Sequence, residues 1–166
     1  QGIDMSVLTP DEARAMYPFL ETHDLAGVLH DPTDGDIDPA QLTQALAKGA
    51  RDRGATIYRN TTVLGLEQGG DGRWTVRTDK GDIACEKVVN CAGQWARQVG
   101  EMAGINVPLQ PVKHQYIITE PIPGLASDAP TIRDPDRRTY FKEEVGGLVM
   151  GGYEPNPQPW TTGDVP

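Results

Sequence analysis

The chain has 166 residues, and its 15 Lys and Arg stand against 24 Asp and Glu, a net charge of −9. That is about one domain in length, enough for an ordinary core, and its acidity leaves no basic stripe for a nucleic acid. Hydrophobic residues make up 37%, with 19 Gly and 14 Pro, which points to a loop-rich globular protein and excludes a coiled coil or disorder.

Thr9-Pro10-Asp11-Glu12 starts a helix, with Thr9 as N-cap, Pro10 at the first helical position and acids in the first turn. Pro18 ends it by Tyr17. Residues 25–30 suit a short strand. Asp38 and Pro39 then open a second helix, with Leu42, Ala45, Leu46, Gly49 and Ala50 as a narrow apolar stripe suited to packing on a sheet, and Gly54 ends it. Residues 55–68 read as a strand that bends near Asn60, followed by a turn at 69–72 and an alternating strand bearing Trp74 and Val76 on one face. After a turn at 79–82, "IACEKVVNCA" reads as a returning strand, and a short helix spans about 94–103 and stops at Gly104. "VPLQPVKHQYIITEPI" reads as a long strand with Pro108 and Pro111 near its start. A Pro/Asp-rich loop precedes a hairpin made by "RTYFKEE" and "GGLVMGGY". The fold class expected is α/β or α+β, a helix-and-strand piece with antiparallel strands, with a domain change at 106/107.

No apolar run approaches the roughly 20 residues that span a bilayer, and the first residues show neither a signal peptide nor an Arg-rich transit segment. No membrane partner is expected. Cys85 and Cys91 form no CxxC and no zinc-spaced set, so buried free thiols in a reduced compartment, bacterial cytoplasm or mitochondrial matrix, are expected. The chain begins without Met and ends at Trp160–Pro166 without a closing element. We therefore expect a piece of a longer protein.

The chemistry-bearing motifs are few. Asp31, Asp34, Asp36 and Asp38 crowd one loop, but from Asp34 the sixth position is Pro39 and the twelfth Ala45, so EF-hand spacing fails. A capped loop is preferred, and no metal site is assigned. No GxGxxG, Walker sequence or nucleophile elbow occurs. In "KHQY", strand alternation puts His114 and Tyr116 on one face, yet a lone strand histidine is more often a hydrogen-bonded core residue than a catalyst. Tyr140 has the same two readings. "VVNCAGQWA" raises a different question, because Ala92 and Gly93 at a strand end leave room for something bulky beside the backbone.

Taken together, "DGDIDPAQLTQALAKGARDRGATIYRNTTV", "VVNCAGQWA", "VPLQPVKHQYIITEPIPG" and "GGLVMGGYE" resemble, in this order, the D-amino-acid-oxidase-like flavoproteins, and within them the dimethylglycine and sarcosine dehydrogenase branch. The resemblance covers nearly the whole chain. It implies part of a Rossmann-like FAD-binding domain, residues 1–106 with the start of the substrate domain, joined to part of an antiparallel-sheet substrate domain, 107–166. It further implies that Ala92 and Gly93 lie along FAD, that Trp95 helps wall it, and that Val63 falls near the adenine. His114 and Tyr140 fall where the branch places residues facing the substrate amine. The implied activity is oxidation of the N-methyl group of a small N-methylated amino acid by hydride transfer to flavin.

Segments of the family pattern are absent from this stretch: the N-terminal GxGxxG, the acidic residue that holds the adenine ribose, the flavin-attachment histidine of some relatives, and the C-terminal loop over the flavin. The expected partners are therefore the remaining parts of the parent chain and, through uncovered faces, a second copy. The isolated chain is expected to bind FAD weakly and to be inactive. Two other readings stay open: a catalytically silent relative that keeps the fold for protein binding, and another amine, amino-acid or glycerol-phosphate oxidoreductase of the same superfamily.

Overall fold

The structure, a computed structural model, describes residues 2–161 and 163; the expectation for the end of the chain therefore lies partly outside the described residues. In chain order the elements are β1 (Ser6–Leu8), α1 (Pro10–Met16), β2 (Val28–His30), α2 (Pro39–Asp52), β3 (Val63–Gln68), β4 (Trp74–Thr78) and β5 (Ile83–Cys85). A 3-10 turn (Gly93–Trp95) then leads into α3 (Ala96–Met102), followed by β6 (Tyr116–Ile118), β7 (Ile132–Asp134), β8 (Thr139–Glu144) and β9 (Gly147–Gly152). They fall into two units, Gln1–Gln44 with His114–Pro155, and Ala45–Lys113 with Asn156–Pro166. The result is a mixed helix and antiparallel-sheet fold, as the sequence led us to expect.

In the first unit β1 pairs antiparallel with β2, and α1 follows β1 through a full capping box. Glu12 N–H donates to Thr9 Oγ1 at 3.3 Å, and Thr9 N–H donates back to Glu12 Oε2 at 2.8 Å. Because carboxylate charge is what this pairing favours, the hydrogen bonds from Thr9, backbone first, hold Glu12 below the usual carboxylate range. Ala13 and Tyr17 at the end of α1 are buried, as are Leu148 and Val149 of β9.

The second sheet of this unit has the order β6-β9-β8-β7, all antiparallel. The hairpin expected from residues 138–144 and 146–153 is present as β8 and β9, closed by Val145 (φ 52) and Gly146 (φ 84). Two consecutive left-handed residues match the right-handed twist of the flanking strands. β7 was not legible in the Pro/Asp-rich loop. The expected long strand from 107 is much shorter and begins only at Tyr116. Pro108 and Pro111 cannot donate to a ladder, and the stretch before His114 makes only an isolated bridge, Val112 to Pro159, in the second unit.

That second unit contains the β3-β4-β5 meander, with a register shift between Val63 and Gly65. Asn60 has φ 51, so the bend expected there exists and interrupts the strand. α3 ends at Met102 with Ala103 as its C-cap, and Gly104 follows with φ 70. Gly100 lies buried in α3 because a Cβ there would collide with Val107. "IACEKVVNCA" is a strand only over Ile83–Cys85; residues 87–92 pair with no strand among those described, and Val89 is 81% exposed. A β-prone sequence cannot form a ladder without a neighbour. For the same reason Cys91 is exposed, contrary to the expected burial, although both thiols are free.

α2 begins as expected, with Gln41 N–H donating to Asp38 Oδ1 at 2.9 Å. Its apolar stripe is uncovered: no α2 residue is buried, and Leu46 is 65% exposed. The preceding acidic loop satisfies its own donors. Asp31 accepts from the Thr33 N–H and hydroxyl, Asp34 from Gly35 N–H, and Asp36 from the Thr131 hydroxyl.

Candidate functional site

The register of the four-stranded sheet builds one polar, aromatic face. Tyr116, Gly151, Tyr140 and Arg133 lie opposite one another on β6, β9, β8 and β7. The next row, Ile117, Met150, Phe141 and Ile132, projects to the other side. A shallow hollow of about 230 Å³ lies chiefly on that second face, lined by Ile117, Phe141 and Met150, with no ionisable side chain except Tyr116 at its edge. Tyr140 therefore lies on the first face and not among the residues that line the hollow.

Three rings crowd that face. Tyr140 lies over Gly151, where any Cβ would collide with its phenol. Tyr153, just beyond β9, is held by its N–H donating to Arg138 O at 2.9 Å. Its ring centroid is 5.8 Å from that of Tyr140 and 5.4 Å, edge to face, from His114. Arg133 Nη2 donates to Tyr153 Oη at 3.0 Å, and its guanidinium carbon lies 5.3 Å from the Tyr153 centroid.

His114 stands just before β6, half exposed, with Nδ1 3.1 Å from Glu154 Oε2. A carboxylate only accepts, so the proton of this bond resides on His114 Nδ1 and the neutral ring presents an unprotonated Nε2. The Glu154 backbone N–H, and after it the His114 ring, hold the Glu154 carboxyl below the usual range. The pairing thus keeps its acceptor ionised throughout the neutral range.

The turn before β8 sets where Arg133 stands. Arg137 N–H donates to Asp134 Oδ1 at 3.0 Å and its guanidinium to Asp134 Oδ2 at 2.8 Å, while Arg138 takes φ 56. Arg137 also pairs with Asp24. The tight reversal places Arg133 directly across from Tyr140.

In the second unit, Val63 opens β3 opposite Thr78, half buried. Ala92 caps the 3-10 turn; its N–H donates to Asn90 Oδ1 at 3.1 Å and its carbonyl accepts from Trp95 N–H at 3.0 Å. Gly93 has φ 55, and no atom lies within 4 Å of where its Cβ would stand. Trp95 is half buried, and its Nε1 is buried with no hydrogen-bond partner among the described residues. An unsatisfied buried donor costs about 1–3 kcal/mol. Ala92, Gly93 and Trp95 are together at one turn; His114 and Tyr140 share Tyr153 as a neighbour.

Residues 1–166 match the family described as FAD dependent oxidoreductase, DAO. The chain belongs to the DAO family of FAD-dependent oxidoreductases. Mouse mitochondrial dimethylglycine dehydrogenase is 38% identical over 168 residues, covering 96% of this chain and 19% of the relative. Human mitochondrial sarcosine dehydrogenase is 40% identical over 169 residues, covering 96% of this chain and 18% of the relative. The chain thus spans about a fifth of these proteins. The crystal structure of L-proline dehydrogenase from P. horikoshii is similar with a TM-score of 0.84 and 31% identity, over 95% of this chain and 42% of that one. The resemblance drawn from the motifs is therefore upheld, and so is the fold class. Among the described residues no helix is long and apolar enough to cross a membrane.

For a family that uses FAD, the open side of Gly93 fits a large group lying against the backbone. What the sequence did not single out are Glu154, Tyr153 and Arg133. Alternation along "GGLVMGGY" puts Tyr153 on the side of Gly151, which is a usable signal. Glu154 and Arg133 needed the register.

Proposed function

We propose that this chain is part of an FAD-dependent enzyme that oxidises the N-methyl carbon of a small N-methylated amino acid such as dimethylglycine or sarcosine. The observation that carries the reading is the oriented imidazole of His114, held through Nδ1 by Glu154 and bordered by Tyr153 and Tyr140. Its similarity to dehydrogenases of dimethylglycine and sarcosine supports the substrate class.

The chemistry sets the task. At neutral pH such an amine is an ammonium, and hydride leaves the N-methyl carbon only when nitrogen has a lone pair to form the new C=N bond. His114 Nε2 takes the ammonium proton, and Glu154 stabilises the imidazolium that results. The rings of Tyr140 and Tyr153 offer π-faces to the cationic, methylated nitrogen before it loses its proton. The Tyr140 hydroxyl then hydrogen-bonds the neutral amine. FAD, when bound, would supply the acceptor for the hydride, which carries both electrons. Val63, Ala92, Gly93 and Trp95 are the residues of this chain that would hold it. The remainder of the longer enzyme completes the site, in the mitochondrial matrix or the bacterial cytoplasm.

The test is anaerobic mixing of the flavin-loaded, full-length protein with dimethylglycine or sarcosine. Bleaching of the flavin with release of one formaldehyde per flavin reduced is expected. No bleaching by either amine overturns the substrate class.

A further inference from the structure

Two aspartates of the chain are followed directly by glycine, at Asp34-Gly35 and at Asp71-Gly72. The pairing matters chemically, because glycine has no side chain to keep its backbone nitrogen away from the preceding carboxyl. Both pairs are exposed, so neither sequence nor exposure separates them. Their local geometry does.

At Asp71 both groups are engaged elsewhere. Its Oδ1 accepts from the Arg73 N–H at 3.1 Å, and lies 2.9 Å from where a Cβ on Gly69 would stand. The carboxyl is thus turned back across the loop between β3 and β4. The Gly72 N–H donates to Gly69 O at 3.0 Å, and Gly69 N–H donates to Arg73 O at 2.8 Å. Bringing the Gly72 nitrogen onto Asp71 Cγ means opening that turn.

At Asp34 the two groups already meet. Gly35 N–H donates to Asp34 Oδ1 at 2.8 Å, so the carboxyl is folded onto the nitrogen that follows it. This N–H serves no backbone carbonyl among the described residues. Asp34 and Gly35 belong to no helix or strand, and no atom lies within 4 Å of where a Gly35 Cβ would stand. No ladder or turn has to open for the two to react.

We propose that Asp34 is the site at which this chain converts to isoaspartate, through a cyclic imide with Gly35, and that Asp71 is protected. The Gly35 nitrogen gives up its proton and bonds to Asp34 Cγ, and the carboxyl hydroxyl departs with that proton as water. A second water then opens the imide. When the bond from nitrogen to the old main-chain carbonyl breaks, the chain runs on through Cβ and Cγ and the α-carboxyl is left free. The main chain is then longer by one carbon. Asp36, whose Oδ2 accepts from the Thr131 hydroxyl at 2.8 Å, follows two residues later, so the tie to the residue before β7 is strained or lost. The freed α-carboxyl is the group that an isoaspartate methyltransferase takes as substrate, which makes such an enzyme the partner of this loop.

The experiment holds the full-length, folded protein at neutral pH for weeks and compares its two Asp-Gly peptides by mass spectrometry after digestion. The imide is read as loss of one water, and isoaspartate as transfer of a labelled methyl group by an isoaspartate methyltransferase. Asp34 should convert faster than Asp71 by about 10-fold or more, because only there are the reacting atoms already placed. In two synthetic peptides, where no fold distinguishes the pairs, the rates should converge. Gly35 has no left-handed backbone and open space around it, so Gly35→Ala should fold, slow conversion at Asp34 and leave Asp71 unchanged. Equal rates at the two sites of the folded protein overturn the proposal, as do faster conversion at Asp71 and no conversion at Asp34. So does a peptide pair that differs as much as the folded protein does, since the preference would then belong to sequence and not to the fold.

Discussion

Tyr140 and Gly151 face each other across β8 and β9, and the Tyr140 phenol occupies the space that a Cβ on Gly151 would need. Gly151→Ala should therefore displace Tyr140, at about 1–3 kcal/mol of stability, and should lower turnover of the full-length enzyme. The neighbouring Gly152→Ala is the control, since the nearest atom to its Cβ position is Arg138 O at 3.5 Å. Melting and turnover of the two variants side by side distinguish a ring-seating glycine from general intolerance of the strand.

Glu154→Gln should lower kcat/KM in the full-length enzyme, by less than loss of His114 itself. An amide can present N–H as well as oxygen, so the Nδ1-protonated tautomer is no longer enforced. The Glu154 carboxyl is held low, so the sign is fixed: its contribution is complete above the ordinary carboxyl value of 4.5 and is lost as the pH falls below that. Across the neutral range the wild-type pairing should be unchanged, which NMR of the His114 ring nitrogens would read as a constant Nδ1–H tautomer for the neutral ring.

The first helix and the 139–152 hairpin were legible in the sequence because local chemistry decides them: Thr9, Pro10 and Glu12 make a cap without help, and Val145-Gly146 closes a hairpin of alternating strands. Residues 87–92 were misread as strand because a ladder depends on a neighbour that no local pattern reveals. In the candidate site, His114 and Tyr140 stood out as polar groups in apolar strands. Arg133 did not, since its place opposite Tyr140 depends on a reversal at Asp134–Arg138 that reads as an ordinary polar loop.

Thr9→Ala should destabilise the first unit by about 1 kcal/mol by removing the acceptor for the Glu12 N–H. Glu12 is held low by Thr9, so the cap is at full strength above the ordinary 4.5 and weakens as the pH falls below it. The stability gap between wild type and Thr9→Ala should consequently shrink in acid, as denaturant melts at several pH values would record.

Tyr17 is buried with its hydroxyl lacking a partner among the described residues, and burial pushes that phenol upward. Tyr17→Phe should raise stability by about 1 kcal/mol, since the ring keeps its contacts and only an unsatisfied group is lost. A lower melting temperature would show that the hydroxyl has a partner elsewhere in the full-length protein.

His114, held through Nδ1 by Glu154, is the group proposed to take the ammonium proton. The deciding measurement is the anaerobic rate of flavin reduction by dimethylglycine in full-length wild type and His114→Asn, normalised to flavin content. The rate constant over KM should fall by about 10²–10⁴-fold, with bound FAD unchanged and Tyr140→Phe costing less. An unaltered rate per flavin-loaded enzyme, accompanied by a lower melting temperature, would contradict the account and make His114 a structural residue.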